Sequence, residues 1–175
     1  YPAPTVSAGF NQTVCEGEVI VLAGAGAVSY AWNGGVIDNV GFSGSILGTT
    51  TYAVLGTDAN GCKDSDSVDV TVNELPVITS ETGTDASACG VSDGEVSVVV
   101  SGGAGSYTYS IDGGTTYLAN GGLFVGLDSG PYTVLVDDGA CSISSSVIVV
   151  SSPPAPPAPF VSSDSSYCVG ESIAD

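Results

Sequence analysis

Five cysteines, at positions 15, 62, 89, 141 and 168, are the side chains of this 175-residue sequence best suited to covalent chemistry. The first four fall into two spans of about 50 residues, Cys15 to Cys62 and Cys89 to Cys141. That spacing suggests one disulfide staple for each of two small modules, each staple stabilising by roughly 3 to 4 kcal/mol through closure of its loop. Zinc is the poorer use of these thiols, because the sequence has no histidine and no CxxC pair to complete a tetrahedral site. Disulfides place the chain in an oxidising, extracellular setting.

A second group that could do chemistry is Asp58, Asn60, Asp64 and Asp66, four oxygen-bearing side chains around one turn. Calcium takes six to eight oxygens, so this is the candidate metal site, and calcium the candidate cofactor. Its spacing lacks the glycine and terminal glutamate of an EF-hand loop. The competing reading is a solvated hairpin turn, where Asp, Asn and Gly are favoured for backbone reasons. Nucleophilic catalysis lacks its parts: without histidine there is no Ser-His or Cys-His pair, and a Ser-Lys dyad could use only Lys63. Most of the 19 acidic residues fall in turns or at outward strand positions, and nothing converges on a cleft-like cluster of the kind a glycoside-hydrolysing pair needs. The chain reads as no enzyme.

Charge narrows the partners. One Lys+Arg against 19 Asp+Glu leaves a formal net charge of −18. Nucleic acid is excluded, since phosphate neutralisation needs clustered Lys and Arg, and anionic lipid is disfavoured for the same reason. Cations and neutral glycans remain as small partners. No apolar run reaches the roughly 20 residues that cross a membrane. The opening Tyr1-Pro2-Ala3-Pro4 lacks a methionine and a signal-peptide pattern, as expected of a processed or excerpted chain.

The elements that must position these residues are strands. Val, Ile and Thr interleave with 25 Gly, and no segment carries a helical period. In the first half, residues 19–22, 29–32, 51–55 and 67–72 read as strands, separated by the turns Asn33-Gly34-Gly35 and Asp58-Ala59-Asn60-Gly61. In the second half, residues 95–100, 107–111, 132–136 and 146–150 do the same, with turns at Asp112-Gly113-Gly114 and Asp137-Asp138-Gly139. The expected fold is all-β: tandem Ig-like β-sandwich modules strung as beads, with one disulfide each. The modules span residues 1–75 and 76–152, followed by a Pro-rich linker at 153–159 that suits a stiff polyproline spacer.

An internal repeat begins and is cut short. Ala3-Pro4-Thr5-Val6-Ser7 returns as Ala158-Pro159-Phe160-Val161-Ser162, and Cys15-Glu16-Gly17-Glu18 returns as Cys168-Val169-Gly170-Glu171, both at an offset of about 155. Residues 160–175 are therefore expected to open a further Ig-like repeat, with Cys168 paired outside this segment.

Trp32, on a Tyr-x-Trp strand, is expected in the core against a disulfide rather than on a ligand. Tyr107, Tyr109 and Ile111 share one strand face and carry the same expectation. Tyr117 and Phe124, set among Gly and Asn, are expected as surface contacts. Asn11-Gln12-Thr13 fits an N-glycosylation pattern.

These residues also resemble a known group. Gln12-Thr13-Val14-Cys15-Glu16-Gly17, Tyr30-Ala31-Trp32 and Gly56-Thr57-Asp58-Ala59-Asn60-Gly61-Cys62 are similar to Ig-like or PKD-like repeats of very large Bacteroidetes surface proteins. Asp93-Gly94-Glu95, Ser101-Gly102-Gly103, Tyr107-Thr108-Tyr109-Ser110-Ile111-Asp112-Gly113-Gly114, Gly130-Pro131-Tyr132 and Asp137-Asp138-Gly139-Ala140-Cys141 resemble the SprB repeat of gliding-motility adhesins. The resemblance implies disulfides Cys15–Cys62 and Cys89–Cys141, in keeping with the spacing. It also implies export by type IX secretion, O-glycosylation at Ser67 within Asp66-Ser67-Val68, and a place at the extracellular cell surface.

The expected function is that of a repeat segment of a large secreted adhesin or filament in surface adhesion or gliding motility, structural or binding rather than catalytic. Its expected partners are neighbouring repeats of the same polypeptide, other copies of the chain, or surface glycans. Two other readings stand beside it: a self-assembling pilus-like subunit that exchanges a terminal strand, and an accessory carbohydrate-binding module of a secreted enzyme.

Overall fold

In the computed structural model residues 2–154 are described, and every regular element among them is a β-strand. The first half contains β1 (Gln12–Cys15), β2 (Val19–Ile20), β3 (Ser29–Trp32), β4 (Phe42–Ser43), β5 (Gly48–Thr57) and β6 (Lys63–Asn73). Four of these make a sheet in the order β1-β6-β5-β3, faced by the short pair β2-β4. The spine is the β5–β6 hairpin, antiparallel from Gly48↔Val72 to Thr57↔Lys63. Its turn is the Asp58–Gly61 segment, where the amide of Asp58 donates to Cys62 O at 2.9 Å and Gly61 takes a φ of 82°.

Alternation along β6 sends Val68, Val70 and Val72 inward, and these meet Val54, Ile20, Leu22, Val6 and Ala8 in one core. Tyr30, Trp32, Phe42 and Tyr52 pack at its margin. Before β1, the chain crosses Gly26, where a Cβ would collide with the Thr5 carbonyl oxygen and φ is 87°. Only glycine permits that approach. β1 then runs parallel to β6, with Gln12↔Val70 through Cys15↔Asn73 as partners.

The second half holds β7 (Pro76–Thr84), β8 (Gly94–Gly102), β9 (Thr108–Ser110), β10 (Leu123–Leu127), β11 (Gly130–Tyr132), β12 (Leu135–Asp137), β13 (Ser142–Ser144) and β14 (Ile148–Val150). They form sheets β10-β8-β7 and β13-β12-β9 and the pair β11-β14. Val96, Val98, Tyr109, Phe124, Val134, Val136, Ile148 and Val150 make a second core. No residue of the first core lies beyond Val72 and none of the second lies before Ile78, so the cores are separate and joined in sequence through Glu74 and Leu75.

Two expectations need correction here. Residues 132–136 are not one strand. The chain leaves β11 after Tyr132 and enters β12 at Leu135, and the backbone between them is satisfied by Ser145, whose Oγ accepts from Val134 N at 2.9 Å and whose amide donates to Val134 O at 2.8 Å. Val134 is fully buried at this switch between sheets. Phe124 is not a surface residue, since alternation within β10 turns it inward to 7% exposure, whereas Tyr117 is 40% exposed. The Pro-rich linker beyond Pro154, the repeat at 160–175 and Cys168 lie outside the described residues.

Because the cores are separate, damage to one should stay there. Val136→Ala removes two buried methyls and leaves a cavity, a loss of about 2 to 3 kcal/mol. Calorimetry should show the second module's transition moving down while the first module's stays in place.

Candidate functional site at the module junction

Among the described residues a disulfide joins Cys15 to Cys141, with Cα atoms 5.9 Å apart and a sequence separation of 126. It joins the modules to each other instead of stapling each one. The expected pairs Cys15–Cys62 and Cys89–Cys141 are both overturned, and strand length gives the reason. Cys62 precedes Lys63 at the start of β6, while Cys15 pairs beside Asn73 at its end. Eleven residues of strand separate these ends by roughly 35 Å, far beyond the reach of a disulfide. Likewise Cys89 follows β7, whereas Cys141 sits at the other end of the module, close to where Pro76 pairs with Gly102. Cys89 is an exposed thiol.

Both cysteines are held by neighbouring carboxylates. On the first module, Cys15 N donates to Glu18 Oε2 at 2.8 Å and Glu16 N donates to Asn73 O at 2.9 Å, which ties the end of β1 to the end of β6. On the second, Asp138 is 6% exposed and accepts three backbone amides: Ala140 N at 2.9 Å and Cys141 N at 2.7 Å on Oδ1, and Ala104 N at 2.8 Å on Oδ2. Burial acts to raise its pKa, but the amides of Cys141, Ala104 and Ala140 together outweigh it and hold the carboxyl below its usual range. A Cβ at Gly103, whose φ is 57°, would strike Asp138 Oδ2. Between the modules lies a cleft of about 130 Å³ lined by Asn73, Glu74, Gly103, Ala104 and Ala140. Sequence reasoning read Asp137-Asp138-Gly139 as a turn but missed its second task of seating Cys141.

The three carboxylates of the candidate calcium site do separate work. Asp58 Oδ1 closes its own turn by accepting Asn60 N and Cys62 N, each at 2.8 Å. Asp64 Oδ2 accepts Val6 N at 3.1 Å, and Asp66 Oδ2 accepts Ala8 N at 2.8 Å, so these two pin the segment ahead of β1 to the sheet. The amide of Ala8, then that of Ser67, holds the Asp66 carboxyl below its ordinary value. Among the described residues, no group of three or more His, Cys, Asp or Glu is placed to hold a metal ion.

Trp32 packs half-buried against the first core, but without the Cys15–Cys62 disulfide expected beside it, and donates from Nε1 to Asp38 Oδ1 at 2.9 Å. Tyr109 is buried, with Tyr107 and Ile111 packed beside it. Ser67 is exposed on β6 opposite Ala53, and Lys63 is exposed opposite Thr57. Asn11 uses its side-chain oxygen to accept Asp69 N at 3.0 Å. A shallow apolar groove of about 180 Å³ runs past Val36, Ile37, Val40, Phe42 and Tyr52.

Residues 81–116, from the later part of β7 through β9, match the family model of the SprB repeat. No curated protein matches the sequence. Among solved structures, extracellular domains 3–5 of Drosophila OTK align at 12% identity and a TM-score of 0.49, covering 86% of this chain and 59% of that one. The N-terminal eight Ig domains of Down Syndrome Cell Adhesion Molecule align at 16% identity and 0.48, covering 83% and 27%. The insect immune protein hemolin aligns at 15% identity and 0.42, covering 86% and 47%. The chain thus spans less than two thirds of each of these structures. Among the described residues the chain is all-β, in two modules with separate cores. The match to the SprB repeat falls within its second module.

Two expected outcomes follow from the carboxylates. Asp66 and Asp138 have lowered folded pKa values, and Asp112 falls to about 2 because Ser110 Oγ donates to it, followed by the amide of Thr116. A depressed carboxylate stabilises the fold above its unfolded value of about 3.9 and loses that contribution as pH falls through the folded value. Urea melts should therefore hold from neutrality to about pH 4 and weaken below it, with Asp138→Asn less stable near neutrality and showing a smaller acid drop. With calcium, melting temperatures in EDTA and in millimolar calcium should agree once ionic strength is matched, because the carboxylates are already engaged by backbone amides.

Proposed function

We propose that this chain is a spacer segment of a large secreted cell-surface adhesin or filament, which holds a binding region away from the cell or spreads weak contacts along a stalk. The observation that carries the reading is the SprB repeat of residues 81–116 set in a module cross-linked to its neighbour. A stalk needs stiffness and solubility and no reactive centre. The disulfide and the two-residue link through Glu74 and Leu75 support the first, and a net charge of −18 supports the second.

Gliding motility and type IX secretion are the finer form of this proposal, and they rest on the same repeat. Neighbouring repeats of one polypeptide are its proposed partners, with neutral surface glycans as ligands compatible with the charge.

The apolar groove beside Phe42 and Tyr52 favours one second reading, an accessory module that binds carbohydrate for a secreted enzyme. A glycan array separates the two readings: retention of a polysaccharide, abolished by Tyr52→Ala, supports the accessory module. For the main reading, the native polypeptide should run far above 17.1 kDa on a reducing denaturing gel and should be labelled by antibody on intact cells. A band near 17.1 kDa in polymers that fall apart on boiling would support a strand-exchanging subunit instead.

A further inference from the structure

We propose that the Cys15–Cys141 bond makes this segment a covalent tether that keeps most of both modules off the line of tension. A polypeptide held at its two ends carries force along its shortest covalent path. Here that path runs up to Cys15, across the disulfide, and onward from Cys141. Everything between belongs to a closed loop spanning 126 residues in sequence, from β2 through β12. That loop contains the β5–β6 hairpin, the Glu74–Leu75 link and all of the β7–β8 pairing.

The stretch withheld is long. At ~3.6 Å per extended residue, the 126-residue separation corresponds to roughly 450 Å of chain that tension cannot draw out while the bond is intact. Without the bond, force would pass through Glu74 and Leu75 and load the modules in series, so that each could unravel in turn. The intramodule pairs expected from sequence would have left that link in the path. Only the cross-module bond bypasses it.

What stays in line is short and pinned. Ahead of Cys15 are β1, held by parallel pairing to the end of β6, and the segment whose Val6 and Ala8 amides donate to Asp64 and Asp66. Beyond Cys141 are β13, paired with β12, and β14, paired with β11. These can peel under load. When they do, they stop at a cysteine, and the loop's own strands stay paired. The inference rests on reading the chain as a stretched spacer for its biological use, but the covalent path is a property of the bond alone.

The test is to pull the full chain between two marker modules of known unfolding length. Unreduced molecules should show no lengthening step near ~450 Å from this chain. Dithiothreitol, closing to its cyclic disulfide, delivers one electron and one proton to each sulfur, and treated molecules should gain about that length in one or two steps. The paired substitution Cys15→Ser with Cys141→Ser should lengthen further than the unreduced parent chain with no reductant added. If that variant does not fold, adding reductant to folded molecules already held between the handles decides the matter. Equal lengthening before and after reduction would overturn the proposal. So would a peptide map of the unreduced chain that joins Cys15 to any other cysteine. Absence of the protein from the surface of intact cells would instead count against the spacer reading and leave the force result standing.

Discussion

Strand β6 is eleven residues long, and the arrangement of the first module depends on that length. Its inward valines form the floor of the core, its pairing with β5 makes the longest ladder of that sheet, and its end receives β1 in parallel. Because it is extended, it carries the chain from one end of the module to the other, delivering Asn73 and its neighbour Cys15 to the face where the second module begins. The same extension takes Cys62 to the far end. A shorter strand would have let Cys15 and Cys62 approach each other and left the modules joined by Glu74 and Leu75 alone. The disulfide is in this sense a consequence of sheet geometry, with Asp138 and Gly103 shaping the turn that presents its second sulfur.

Much of the fold could be read from residue alternation. Ser67 to Val72 alternates strictly and lies within β6, Ser29 to Trp32 coincides with β3, and Asp58 to Gly61 turns between β5 and β6 because Asp58 can accept its own downstream amides. Where reading failed, the missing information was three-dimensional. Equal spacing of cysteines says how much chain lies between them but not at which end of a strand each emerges. The switch at Thr133 and Val134 keeps β-type residues on both sides, so nothing local marks it, and only the reciprocal bonds with Ser145 show where the sheet changes. Phe124 looked exposed because glycines surround it, yet a glycine beside a strand limits packing at its own position and not at the next. Strands β1, β4, β7, β10 and β13 carry weaker alternation or are short, and β1, β4 and β10 also depend on partners that are not their neighbours in sequence.

The candidate calcium cluster shows how composition can mislead. Four oxygen side chains within nine residues look like ligands when only the sequence is in view. In the folded chain the three carboxylates serve backbone amides from two different segments, and the longest separation in sequence among those bonds, that of Asp64 with Val6 and Asp66 with Ala8, secures the chain ahead of β1. This is economical in a module with small sheets, since irregular segments leave amides that no strand partner satisfies. Acidic side chains fill that need at the turns of both modules, Asp112 and Asp138 included.

That use of carboxylates sets how the protein meets brine. With Lys63 the single Lys or Arg, the fold has almost no opposite charge for its acids to pair with. Its polar contacts are instead donor-acceptor bonds under 3.2 Å to amides, well inside the screening length of about 8 Å at physiological ionic strength. Dissolved ions therefore act mainly on the long-range repulsion among like charges, which opposes compactness, and hardly touch the short bonds that favour it. A protein held by ion pairs is weakened as its surroundings become more saline, whereas this one is relieved.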